Sequence, residues 1–157
     1  MLTPPNDEQF MRMAIREAEK ALDQDEIPVG AIIVAKGQVI ARGHNLTERL
    51  HDFTAHAEMQ AFTAASEFLG GKFLDQCTLY VTLEPCPMCA GAAFWTRIGR
   101  VVFGAYDEKR GFQRFQSKMP GEHVLHPRTA VKGGVLEEEC AELLKEFFQK
   151  KRQQRLN

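Results

Sequence analysis

Twenty-six residues separate His56-Ala57-Glu58 from Pro85-Cys86-Pro87-Met88-Cys89, and whatever this chain folds into must bring the two fragments together. One imidazole and two thiolates make three metal ligands. Three protein ligands leave a tetrahedral zinc one position open, which a water can fill. Sulfur-rich donors select zinc over magnesium or calcium. The C-x-x-C spacing lets both sulfurs reach one ion from a single turn, and His56 must then arrive from the start of another helix. Helix starts carry partial positive charge, which favours thiolates at Cys86 and Cys89. Glu58 lies about 200° around a helix from His56, so it need not compete as a ligand. It can face the water instead and move its protons. A purely structural zinc site wants a fourth protein ligand. Here that would have to be Cys77, His51, His44 or a later histidine. The pairing of H-A-E with a proline immediately before Cys86 points to an open, hydrolytic site.

A length of 157 residues suits one domain with a full core, taken as residues 1–157. Apolar residues are 44% and charged residues 26%, the balance of a globular chain rather than a disordered one. No apolar run is long enough to span a bilayer, so no membrane partner is expected. Met1 to Arg12 lacks a basic start followed by an apolar stretch. An export signal is therefore not expected, and the cytoplasm is the default location. In that compartment a C-x-x-C pair reads as a metal site rather than a disulfide. Cys77 and Cys140 stand alone in apolar patterns and read as small buried groups.

Phe10, Met13, Ala14, Ala18, Ala21 and Leu22 recur at helical spacing after Asn6 or Asp7 as the N-cap, and Pro28 stops that helix. Val29–Ala35 reads as a buried strand. The turn Lys36-Gly37-Gln38 leads to a second strand from Val39, in a hairpin ending near His44-Asn45. A helix is expected from His56 to Leu69, closed by Gly70-Gly71. Cys77–Thr82 is a third strand, Pro87–Arg97 a helix with proline in its first turn, and Arg100–Gly104 a fourth strand. This alternation implies crossover units and a sheet covered on both faces. The segment 111–134 is irregular and leaves its elements unplaced. A C-terminal helix is expected from about Leu136 to Arg152, with Leu136, Cys140, Leu143, Leu144, Phe147 and Phe148 as its apolar stripe.

Net charge is only −1 but is unevenly spread. Residues 109–132 hold six bases against one acid, and residues 145–157 hold five against one. Such blocks form either a patch for a polyanion or a solvated surface.

At these residues the chain resembles the cytidine-deaminase-like zinc hydrolases, whose signature H-x-E…P-C-x-x-C it carries. Further stretches look like the bacterial tRNA adenosine deaminases. They are Pro28-Val29-Gly30-Ala31, Asn45, Thr54–Glu58, Leu79–Cys86, Met88–Ala92 and Arg97–Ala105, and the likeness runs from about Asn6 to Arg152. The resemblance implies a three-layer α/β/α sandwich with a central mixed five-stranded sheet. It also implies a homodimer, one zinc ion per subunit, a tRNA substrate, and conversion of adenosine to inosine at the wobble position of the anticodon. Carried over by motif, His56, Cys86 and Cys89 would hold zinc and Glu58 would shuttle protons. Asn45 would contact the extruded base or its ribose. The backbone of Ala57 and the carbonyl of Glu84 would meet the purine edge and the leaving amine, and Asp107 would lie near the target nucleotide.

The chain departs from that pattern over residues 110–132, where Gly111-Phe112-Gln113-Arg114-Phe115-Gln116-Ser117 replaces a small-residue segment. Phe112 and Phe115 there are either stacking groups beside Arg114 or core. Phe53 and His44 either line the pocket mouth or pack. Two other readings of the whole stay open on the residues alone. One is a deaminase of a free base or nucleoside of the guanine or cytosine type. The other is a zinc-stabilised RNA-binding module without catalysis.

Overall fold

Asn6 starts the first helix: its side chain accepts the N–H of Gln9 at 3.1 Å, which settles the cap as Asn6 rather than Asp7. That helix, α1, spans Asp7–Asp23 and buries Met11, Ala14, Ala18 and Ala21. The computed structural model describes residues 6–156, so residues 1–5 of the stretch read for an export signal lie outside it. After α1 come β1 (Gly30–Ala35), β2 (Gln38–His44), α2 (Ala57–Leu69), β3 (Cys77–Leu83) and α3 (Pro87–Thr96). β4 (Arg100–Ala105), α4 (Phe112–Ser117), β5 (Ala130–Lys132) and α5 (Glu137–Leu156) complete the chain.

The sheet runs β2-β1-β3-β4-β5. β1 pairs antiparallel with both β2 and β3, and β4 pairs parallel with β3 and β5, so the sheet is mixed. Successive side chains of a strand point to opposite faces, and the core divides accordingly. Ala31, Ile33, Leu79, Val81, Val101 and Phe103 face α2 and α3. Ile32, Val34, Tyr80 and Val102 face the other way, onto Met11 and Ala14 of α1 and Cys140 of α5. The result is the three-layer α/β/α sandwich. Its parallel pair β3–β4 needs a crossover, and α3 is that crossover. This puts the start of α3 at the carboxyl end of β3.

β2 runs to His44, where the hairpin is expected to end, because Gly30 pairs with His44 and the ladder holds to that end. Two parts of the chain differ from the sequence reading. Segment 111–134 contains the short helix α4 and the edge strand β5. All three β5 residues are exposed, so no apolar periodicity marks it. Phe148 leaves the stripe of α5 and is 44% exposed, whereas Phe147 is buried. Neighbours in a helix diverge by about 100°, so the two rings cannot share one seam.

A carboxylate locks these layers together. Asp7 accepts both Arg100 guanidinium nitrogens at 2.7 and 2.6 Å, the Tyr80 hydroxyl at 2.8 Å and the Lys132 ammonium at 3.1 Å. One side chain at the start of α1 thereby ties β3, β4 and β5. The hydrogen bonds from Arg100 hold its carboxyl far below the usual carboxylate range, against the opposing effect of burial.

Candidate active site

α2 and α3 begin side by side, and each begins on a metal-ligand candidate. His56 is the N-cap of α2 and Cys86 the N-cap of α3, both in extended conformation. Pro87 fills the first position of α3, where its missing N–H costs nothing. Cys89 follows one turn later, fully buried. His56 Nδ1 lies 3.6 Å from Cys86 Sγ and 3.5 Å from Cys89 Sγ. A tetrahedral zinc with Zn–S of about 2.3 Å and Zn–N of about 2.0–2.1 Å requires N···S separations of about 3.5 Å. The donor set therefore fits zinc in both chemistry and spacing. Among the described residues no fourth histidine, cysteine or carboxylate joins this cluster.

The three donors share protons through their mutual hydrogen bonds. Cys86 is pulled down to about 4, first by the hydrogen bond from the Cys89 thiol and then by His56. Cys89 is pushed up because it supplies that proton and is buried. His56 is raised by its hydrogen bond to Cys86. Glu58, in the first turn of α2, is 4% exposed. Burial lifts its carboxyl to about 7, where a group exchanges protons readily at neutral pH.

The walls of the site are set by backbone contacts. Gly43 of β2 approaches α2 so closely that a Cβ there would meet the carbonyl oxygen of Ala57 at 2.5 Å. Asn45 follows on the same strand end, 5% exposed. Its amide nitrogen reaches Thr47 at 3.4 Å, but its Oδ1 has no partner among the described residues. A buried acceptor left open is costly unless a ligand completes it. Ala57 is wholly buried at the first position of α2.

Glu84 does more than its sequence position announced. Its buried carboxylate accepts the N–H groups of Asp107 at 3.1 Å and Gln113 at 3.0 Å. Gly111 packs against that carboxylate where no Cβ would fit. Asp107 in turn accepts the N–H groups of Lys109 and Arg110 at 3.1 and 3.0 Å, so its carboxylate builds the turn. The exposed cations Lys109, Arg110 and Arg114 are thus fixed on a segment anchored two residues before Cys86. Phe112 is buried against Phe103, edge to face at 6.4 Å, which makes it core and not a stacking group. His44 is half-buried and meets Gln24 at 3.3 Å, whereas Phe53 is 91% exposed.

One buried acid was not legible as functional. Glu26 lies in an acidic run at the end of α1 and resembles a solvated helix end, yet it is fully buried. The C-terminal basic block is less cationic than it reads. Lys151 pairs with Asp25 at 2.7 Å, and the groove beside α5 sets Arg49, Lys151 and Arg155 against Asp23, Asp25 and Glu48. A separate cavity of about 640 Å³, lined by Phe73, Arg97, His126 and Arg128 among others, opens at the opposite end of β3 and β4. It contains none of the metal-ligand candidates.

Residues 4–105 match the cytidine and deoxycytidylate deaminase zinc-binding region. The chain is 46% identical over 149 residues to the tRNA-specific adenosine deaminase of Bacillus subtilis, covering 95% of this chain and 92% of that one. It is 45% identical over 159 residues to the chloroplastic tRNA(adenine(34)) deaminase of Arabidopsis thaliana, of whose much longer chain it matches 12%. A solved structure described in studies of A-to-I editing by tRNA:A34 deaminases at the wobble position of transfer RNA superimposes with a TM-score of 0.79. That pair is 46% identical, and the match covers 87% of this chain and 99% of the other.

Proposed function

This chain belongs to the tRNA-specific adenosine deaminases of the cytidine and deoxycytidylate deaminase zinc-binding family, and from that membership we propose its reaction. It hydrolyses the 6-amino group of the adenosine at the wobble position of a tRNA anticodon, consuming one water and releasing inosine and ammonia. The observation that carries this reading is the buried Glu58 carboxyl beside three donors spaced for zinc.

His56 Nδ1 and the sulfurs of Cys86 and Cys89 would hold a zinc ion, one per subunit. When bound, zinc supplies Lewis acidity that makes hydroxide available near neutral pH. Glu58 takes a proton from the attacking water and delivers it to the purine ring nitrogen beside C6. It then passes a proton to the departing amine. Its raised affinity for protons suits both transfers. Asn45 Oδ1 accepts from the extruded nucleotide. The backbone of Ala57 and the carbonyl of Glu84 meet the purine edge and the leaving amine, and Asp107 stands near the target nucleotide. Extrusion costs least in an unpaired anticodon loop. Lys109, Arg110 and Arg114 take the adjacent phosphates.

The active form is a homodimer. Trp95 is 78% exposed and Phe68 67%, apolar area that a second copy would cover. We place the enzyme in the cytoplasm on its likeness to the bacterial tRNA-specific adenosine deaminases. Among the described residues no helix is long and apolar enough to cross a membrane.

The test is to incubate zinc-loaded protein with tRNA carrying adenosine at the wobble position and to identify the nucleosides by mass spectrometry. Inosine at that position is expected. Its absence with folded, metal-loaded protein overturns the reading, and ammonia release from guanine or cytosine without RNA would replace it with a small-molecule deaminase.

A further inference from the structure

The loop between Asn45 and His56 is unusually well tied down for an exposed segment. Inside it, Leu46 donates to the Ala55 carbonyl at 3.0 Å, and Leu50 donates to the Leu46 carbonyl at 2.9 Å. Asp52 accepts the N–H and the hydroxyl of Thr54 at 2.8 and 2.7 Å. From below, both oxygens of Glu26 accept loop N–H groups, those of Glu48 and Arg49, each at 2.9 Å. A fully buried carboxylate is a costly anchor, and two charge-assisted hydrogen bonds offset that cost only while the loop holds its shape.

What this ordered loop displays is Phe53, 91% exposed. Isolated apolar side chains on a surface are ordinary. Phe53 differs because its backbone is fixed, because it precedes the metal-ligand candidate His56 by three residues, and because His51, Asp52 and Thr54, which flank it in the chain, are polar. A protein partner would want a continuous apolar face around the ring. A nucleobase wants one rigid aromatic plane beside polar and charged groups.

We propose that Phe53 is a stacking platform for an unpaired base next to the extruded adenosine, held ready by the loop that Glu26 anchors. The proposal rests on the RNA-deaminase reading and deepens it. It names a residue that sets affinity for RNA apart from the chemistry, and it distinguishes loop nucleotides from a free nucleoside.

The experiment compares wild type, Phe53→Ala and Phe53→Trp on an anticodon stem-loop RNA under single-turnover conditions. Phe53→Ala should raise the half-saturating enzyme concentration about 5- to 150-fold, the range expected for one lost base stack. The saturating rate constant should change far less. Phe53→Trp should restore binding. Abasic substitution of one flanking nucleotide should erase the difference between wild type and Phe53→Ala.

An unchanged half-saturation in Phe53→Ala, with wild type active, overturns this proposal alone. So does a loss that Phe53→Trp fails to restore. A shift in the monomer–dimer equilibrium by sedimentation, tracking the kinetic loss, would assign Phe53 to a second copy of the chain and overturn it as well. Wild type that forms no inosine would overturn both this proposal and the reaction it rests on.

Discussion

Glu84 holds Asp107 by its backbone: the Glu84 carboxylate accepts the Asp107 N–H at 3.1 Å while its other oxygen takes the Gln113 N–H at 3.0 Å. One acid, two residues before a metal-ligand candidate, thereby fixes the basic wall of the pocket. Replacing it with alanine leaves two partly buried N–H groups without their carboxylate acceptor. Glu84→Ala should lower the free energy of unfolding by about 3–6 kcal/mol, as for two hydrogen bonds to a charged group. Urea denaturation reads the loss. Hydrogen exchange at Asp107 and Gln113 should quicken more than exchange in β1.

Glu58→Gln tests the proton shuttle apart from the metal. The amide keeps the shape of the side chain but cannot take a proton from water. Turnover should fall about 10²- to 10⁴-fold, the usual worth of a positioned general acid–base. Zinc content should stay at that of wild type. Retained turnover would remove Glu58 from the mechanism.

Cys89→Ala should abolish tight zinc binding and lower thermal stability together, because forming the site and folding around it are linked. Chelation of the wild type should lower the melting temperature toward that of the variant. Metal analysis and a thermal scan give both readings. A Cys89→Ala protein with a full complement of zinc would mean the ligand set is wrong.

Asp7 sets an acid limb on stability. Its folded carboxyl lies below its unfolded value of about 3.8 because Arg100 and its other partners favour the charged form. A depressed value means the native state binds fewer protons, so the contribution is whole above about pH 4 and fades as pH falls below it. Asp7→Ala also strands Arg100, which is 25% exposed, and should cost about 3 kcal/mol at pH 7. The gap between wild type and Asp7→Asn should narrow in urea titrations as pH falls below 4. A constant gap would mean that Asp7 acts by shape alone.

Replacing Lys109, Arg110 and Arg114 together by alanine should weaken RNA binding and flatten its salt dependence. Each lost contact to single-stranded phosphate removes about 0.7 from the log–log slope, so the slope should fall by about 2. Filter binding at several salt concentrations measures it. An unchanged slope would move the phosphate path elsewhere.

Much of the site could be read directly from the chain because its parts are local. C-x-x-C at a helix start, a histidine at the start of another helix and a glutamate two residues on are facts of spacing and donor chemistry. The apolar periods of β1, β3, β4 and α1 likewise announced a sheet covered on both faces. β5 escaped notice because an exposed three-residue edge strand has no periodicity to show. Phe112, open on the sequence between stacking group and core, is core, and Phe148 leaves the stripe expected of α5, because aromatic identity alone does not say which side of a helix is covered.

What the chain by itself determined was the metal chemistry and the order of the layers, since both follow from side-chain type and short-range spacing. Only the tertiary structure decided the work of Glu26, Glu84 and Asp7. Each satisfies hydrogen-bond donors that lie 22 to 125 residues away in sequence. A buried carboxylate takes its role from whichever donors the fold brings to it, and no local pattern records that meeting.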